Sequence, residues 1–121
     1  MANPNIVAVT AIYGKTIQAA LDTTLTTEII PAPTTGKVYK INTILIANID
    51  GINAADASVF ITKSAGSPVA IASTISIPAD ATLALIDKNN SFYLEEGDNI
   101  EAGASANGDL TITISYEDIS S

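Results

Sequence analysis

The densest chemical grouping in this 121-residue chain is acidic: Glu95, Glu96, Asp98 and Glu101 fall in one short stretch. Paired carboxylates carry glycoside hydrolysis, one as acid and the other as base or nucleophile. That reaction also needs a sugar cleft, commonly lined with aromatics, and the chain has no Trp. Extended backbone sends neighbouring side chains to opposite faces, so Glu95 and Glu96 diverge if both lie in a strand. The grouping therefore reads as a solvated turn. A second cluster, Asn48, Asp50, Asn53 and Asp56, collects the oxygen donors that calcium takes. Its spacing lacks the EF-hand order, and Asx residues form turns through their own side chains, so a turn is again the reading.

With no Cys and no His, thiol catalysis, histidine base chemistry and the usual zinc sites are excluded. Ser and Thr are plentiful, but no G-x-S-x-G and no base partner accompany them. Lys15, Lys37, Lys40, Lys63 and Lys88 are scattered and read as surface residues, and no Gly-rich phosphate loop is present. Tyr13, Tyr39, Tyr93 and Tyr116 suit either a carbohydrate platform or the wet edge of a core. No catalytic residue, cofactor or metal is assigned.

The net charge of −8, with five Lys and no Arg, argues against binding nucleic acid, which needs clustered cations. The same balance argues against an anionic membrane. No apolar run approaches bilayer-spanning length, and Met1–Asn5 has no basic n-region, so no signal peptide is expected. The expectation is one soluble domain over residues 1–121. Aromatics make up only 5% of the chain, so the core is built from Ile, Val, Leu and Ala. Such a light core hints at support from an oligomer interface.

What positions these residues is β structure. Leu110, Ile112, Ile114 and Tyr116 alternate with Thr111, Thr113, Ser115 and Glu117, the period of a strand with one buried and one wet face. Phe92–Leu94 and Ile100–Ala104 precede it, joined by the acidic turn. Gly97 and Gly108 stand where tight turns need positive φ, and Asn107-Gly108 marks a turn. Upstream, Ile6–Tyr13 is apolar on both faces and reads as a strand broken by Gly14-Lys15. Thr16–Leu21 is weaker, with strand favoured over helix. Leu25–Ile30, Lys37–Ile49, Ala57–Lys63, Val69–Ile77 and Thr82–Ile86 follow. Asp50-Gly51 is a hairpin signal. Val69, Ile71, Ile75 and Ile77 should share one face. In Lys37–Ile49 one face runs Tyr39, Ile41, Thr43, Leu45, while the other turns apolar at Ile44 and Ile46, as if that end were covered twice. About eight or nine short strands with regular turns predict an all-β antiparallel sandwich, jelly-roll-like.

The opening ANPNIVAVTAIYGKT, the central GKVYKINTILIANIDGINAADASVFI, the run STISIPADATLALIDKNNSFYLEEGDNIEA and the closing LTITISYEDI resemble small virion structural proteins of marine tailed phages, cyanophages especially. The resemblance implies a capsid decoration (cement) protein that binds the major capsid protein and stabilises the head shell, often as a homotrimer. It implies a place on the virion head surface and in the host cytoplasm during assembly. Another virion component, in tail, neck or fibre, and a carbohydrate-binding sandwich are the alternatives. Met1–Asn5 is expected to be a loosely held arm. The doubly apolar segments give the expected interface residues: Ile6, Val7, Val9, Ile12, Tyr13, Ile44 and Ile46. Their second face is covered either by a layer of the same domain or by a neighbouring subunit or the capsid shell.

Overall fold

In the computed structural model, which describes residues 3–120, all regular structure is β. The strands are β1 (Ala11–Ala20), β2 (Thr27–Ile30), β3 (Lys37–Asn48), β4 (Ala55–Thr62), β5 (Pro68–Ile77), β6 (Thr82–Ile86), β7 (Phe92–Leu94), β8 (Asn99–Ala104) and β9 (Leu110–Ser120). They form two antiparallel sheets. One runs β1-β9-β3-β6, with β7 also on β3, and the other runs β2-β8-β4-β5. Apart from β7, the pairs β1–β9, β2–β8, β3–β6 and β4–β5 nest inside one another along the chain. That is one long hairpin rolled into two facing sheets, the jelly roll.

The core lies between the sheets. Ile41, Ile44, Ile46, Ile112 and Ile114 from one side meet Ile30, Val59, Ile77, Ile100 and Ala102 from the other, all buried. β9 is central in its sheet and alternates as its sequence demands, with Leu110, Ile112, Ile114 and Tyr116 inward. Branched side chains suit this pleated, half-buried setting.

Several boundaries differ from the sequence reading. Ile6 and Val7 lie in a turn, with the Ala8 amide donating to the Asn5 carbonyl, and the first strand begins only at Ala11. Gly14-Lys15 does not break it, because its register with β9 continues unshifted. Asp50-Gly51 makes no hairpin, and Asn107-Gly108 joins no hydrogen-bonded neighbours, because both connections cross between the sheets. In β5 two register shifts against β4 re-aim the side chains. Ala72 and Ile77 are buried, whereas Val69 is 64% exposed.

The double apolar pattern of β3 also has a local cause. Its register with β9 shifts between Ile41 and Thr43. The extra residue, Asn42, switches which parity points inward. Tyr39 and Ile41 face the core before it, and Ile44 and Ile46 face the core after it. Ile44 and Ile46 are therefore fully buried core residues rather than interface residues.

Candidate functional site

The remaining expected interface residues gather at one end of the first sheet. Exposure is 52% for Ile6, 91% for Val7, 50% for Ile12 and 60% for Tyr13, while Val9 is half-buried. Single exposed apolar residues are ordinary on a protein surface; by register Ile12 stands on the face of Ile119 and Tyr13 on the face of Asp118, so the two flank the edge strand on its opposite sides.

The turn that carries Ile6 and Val7 is fixed in place. The Asn5 side-chain oxygen accepts the Val7 amide, and the Thr10 amide donates to the Ser120 carbonyl at 2.8 Å. Asn3 donates to the Glu95 carboxylate, and Pro4 is buried. Asn3–Asn5 is thus anchored, not a loose arm, and Met1 and Ala2 lie outside the described residues. By register, Ile12, Val38 and Ile119 sit side by side on the outer face of the first sheet. Val38 and Ile119 are nearly inaccessible even there. Pro4, Ile6, Val38 and Tyr93 line a cleft of about 440 Å³ between the N-terminal turn and the sheet. The turn thus forms a second, smaller apolar layer outside the sandwich.

On the inner face at this same end, Asp118 is 1% exposed. Its Oδ2 accepts Lys15 Nζ from β1 at 2.9 Å and faces Lys37 Nζ from β3 at 3.5 Å. Its Oδ1 has no hydrogen-bond partner. The cluster ties three adjacent strands together through a charge that burial alone would disfavour. The hydrogen bond to Asp118, and then the carboxylate's charge, hold the Lys15 ammonium above its ordinary value. Tyr39 is raised too, first by burial and then by the charge of Asp118. Its ring lies 5.0 Å from that of Tyr116, tilted by 45°. These two Tyr residues edge the core, as one sequence reading held.

The acidic stretch is structural. Asp98 is 2% exposed and accepts the Ser64 and Glu95 backbone amides at 2.9 and 3.0 Å. Lys63 bridges Asp98 and Glu95. This clasp fastens the β4–β5 turn to the β7–β8 turn, where Gly97 holds a φ of 83°. Asp98 and then Glu95 raise Lys63, while Lys63 and then Asn3 lower Glu95. The solvated turn expected from the sequence thus contains one buried carboxylate, Asp98, paired with the half-exposed Lys63, and Lys15, Lys37 and Lys63 are engaged rather than free.

The Asn48–Asp56 loop uses its oxygens internally. Asn48 is buried, donates to the Ile77 carbonyl at 2.9 Å and accepts the Asp50 amide at 2.9 Å. Asp50 accepts the Ile52 and Asn53 amides, which lower its carboxyl below the ordinary range. Among the described residues no group of three or more His, Cys, Asp or Glu is placed to hold a metal ion.

No family model and no curated protein matches the chain. Solved structures do. A chain from Bacillus endospore appendages, described as forming a novel family of disulfide-linked pili, superposes with a TM-score of 0.53 at 12% identity, over 91% of this chain and 87% of that one. The infectious bursal disease virus VP2 subviral particle gives a TM-score of 0.40 at 16% identity, over 90% of this chain and 32% of the longer one. Tobacco streak virus coat protein gives 0.34 at 8% identity, over 88% and 86%. At these identities the first of them establishes a shared fold and nothing more.

Proposed function

We propose that the chain is a non-enzymatic structural subunit of a phage virion, bound to the major capsid protein on the head surface as a decoration or cement protein. The observation that carries this reading is the apolar end of the first sheet, where Ile6, Val7, Ile12 and Tyr13 are exposed on a rigidly tied turn and strand. A tied end of this kind, apolar on both sides of its edge strand, is pre-organised for docking, so little ordering cost opposes contact. The fold shared with the endospore pilus chain is compatible with a building-block role, because that protein forms pili. Disulfide linkage does not carry over, since this chain has no Cys. The sequence resemblance supplies the finer points: a homotrimer on the shell, assembled in the host cytoplasm.

Cryo-electron microscopy of the particle that carries the chain tests the reading. Density for this jelly roll on the outer head shell, with Ile6 and Val7 facing the capsid protein, is the expected result. Density confined to the tail, neck or fibres overturns the decoration role, and absence from the virion overturns the whole reading.

A further inference from the structure

The sandwich has open strand edges at both ends of both sheets: β1 opposite β6 and β7, and β2 opposite β5. An open edge presents unpaired N–H and C=O groups that recruit another strand unless it is short, bulged, charged or interrupted by proline. Three of these edges are blunted. β2 is four residues long, has a register shift between Glu28 and Ile30, and runs into Pro31. β5 begins at Pro68, shifts register twice and holds Thr74 at a φ of 47°. β6 is five residues long, and the turn at Asp87–Asn90 separates it from the three-residue β7. β1 has one of these devices, Lys15, and its ammonium is drawn onto Asp118 of β9 at 2.9 Å. The strand is ten residues long, contains no Pro and no acid, and keeps one register along its whole length.

The direction of its free groups follows from the register. The Leu21 amide donates to the Leu110 carbonyl at 2.9 Å, one step beyond the last strand pair and in the same register. In an antiparallel pair, residues alternate between facing the partner and facing away. Ala11, Tyr13, Lys15, Ile17 and Ala19 therefore face β9. Ile12, Gly14, Thr16, Gln18 and Ala20 turn both backbone groups outward.

We propose that β1 is an assembly edge that takes the β1 of a second copy, antiparallel, about a two-fold axis through Thr16. In that register every outward-facing residue meets another: Thr16 meets Thr16, Gly14 meets Gln18, and Ile12 meets Ala20 of the second copy. Size is complementary as well. The large exposed Ile12 and Tyr13 at one end of the strand lie against the small Ala20 and Ala19 at the other, which is the self-complementarity a two-fold contact requires. Lys15 lies opposite Ile17. An axis through Lys15 would oppose like charges, which is destabilising. An axis through Ile17 would leave Ile12 and Tyr13 beyond the end of the second strand. In a chain of net charge −8, an edge without carboxylates also lets two copies approach without opposing acids. The inference goes beyond the virion reading. Where trimers form on a shell, this contact would link one to the next.

The test is the mass of the purified protein in solution, with no capsid present, so that its outcome does not depend on whether the chain decorates a particle. Multi-angle light scattering should give two copies, or six if trimers also form. Thr16→Pro removes an outward N–H and no bond to β9, a position at which proline is tolerated. It should halve the mass and keep the β-type circular dichroism. Thr16→Cys, in a protein with no other Cys, should cross-link to the dimer on oxidation, because facing Cα atoms about 5.5 Å apart are within disulfide reach. Gly14→Cys, facing Gln18, should not. One copy, three copies or open filaments for the unaltered chain overturn the proposal. So does a folded Thr16→Pro variant of undiminished mass. If Thr16→Pro does not fold, cross-linking decides: equal yields from Thr16→Cys and Gly14→Cys refute the register.

Discussion

Gly103 offers a sharp test of how the second sheet is packed. Its neighbours Ala102 and Ala104 face the core, so Gly103 faces outward, yet it is buried. The turn after β1 lies directly on it. A Cβ at this position would stand 2.4 Å from Leu25 Cα, 2.7 Å from the Thr24 carbonyl oxygen and 3.0 Å from Leu25 Cδ2. Carbon–carbon contacts settle near 3.5–4.0 Å, so Gly103→Ala requires the turn to withdraw by about 1 Å. The turn is not free to do so. The Ala104 amide donates to the Asp22 carbonyl at 2.8 Å, the Thr23 amide to Asn107 Oδ1 at 3.0 Å, and the Thr24 amide to Asp22 Oδ1 at 2.9 Å. Overpacking of this kind costs about 1–3 kcal/mol, and each hydrogen bond lost adds about 1 kcal/mol. We expect a loss of about 2–4 kcal/mol in urea denaturation. With a slope of about 1.5 kcal/mol/M, even the lower figure moves the midpoint by about 1.3 M. Gly51→Ala is the control, because a Cβ there meets only Asp80 oxygens at 3.7 and 4.0 Å. If Gly103→Ala stays within about 0.5 kcal/mol of the unaltered chain, as ordinary surface changes do, the turn yields freely and the reasoning fails.

Ile114→Ala, at a fully buried position in the central strand, should cost about 2–5 kcal/mol by the same denaturation assay, and a cost under 1 kcal/mol would mean the core refills. Removing residues 1–10 uncovers Val38, which lines the cleft with Pro4 and Ile6, so the truncated chain should keep its β-type spectrum, lower its urea midpoint and gain dye-detectable apolar surface; an unchanged midpoint would show that the N-terminal turn adds no packing. Lys63 is raised above the ordinary lysine value, so its ion pairs stabilise fully below that value and are lost as pH rises through the higher folded one. Lys63→Met should therefore flatten the alkaline limb of a stability–pH curve. Glu95 is lowered, so its contribution is present above the ordinary carboxylate value and lost as pH falls through the lower folded one. Glu95→Gln should flatten the acid limb, and unchanged limbs in these variants would remove the Lys63 clasp from the stability account.

The strands whose burial alternates cleanly were legible in the sequence. β9 shows its period of two from Leu110 to Glu117, and β8 shows it from Asn99 to Ala102. What escaped were events that act on the pattern from outside the strand. One bulge residue, Asn42, makes β3 resemble a strand covered on both faces, and it led to Ile44 and Ile46 being placed at an interface. Asp50-Gly51 and Asn107-Gly108 signal a change of direction, but a turn signal carries no information about which sheet the next strand joins. Gly14 interrupts a propensity pattern without interrupting a strand, because ten pairs with β9 outweigh one residue's preference. Asp98 and Asp118 are buried by partners distant in sequence. Asp118 and Lys15 are 103 residues apart, and nothing local to either predicts the other. Within the expected interface group, Ile6, Val7, Ile12 and Tyr13 are exposed together, since a terminal turn and an edge strand have little of their own domain to hide against.

The rolled-up hairpin also sets an order of events during synthesis. β9 is the last made of these nine strands, yet it sits between β1 and β3 and supplies the hydrogen bonds that join them. Until it leaves the ribosome, β1 has no partner and β3 has one empty side. The first sheet therefore closes late, and its contacts are long in sequence, the arrangement that slows folding. During that interval both flanks of the missing strand are open to other nascent chains. A chain cut before Leu110 would lose the middle of a sheet rather than its margin, and should go into aggregates instead of leaving a trimmed domain.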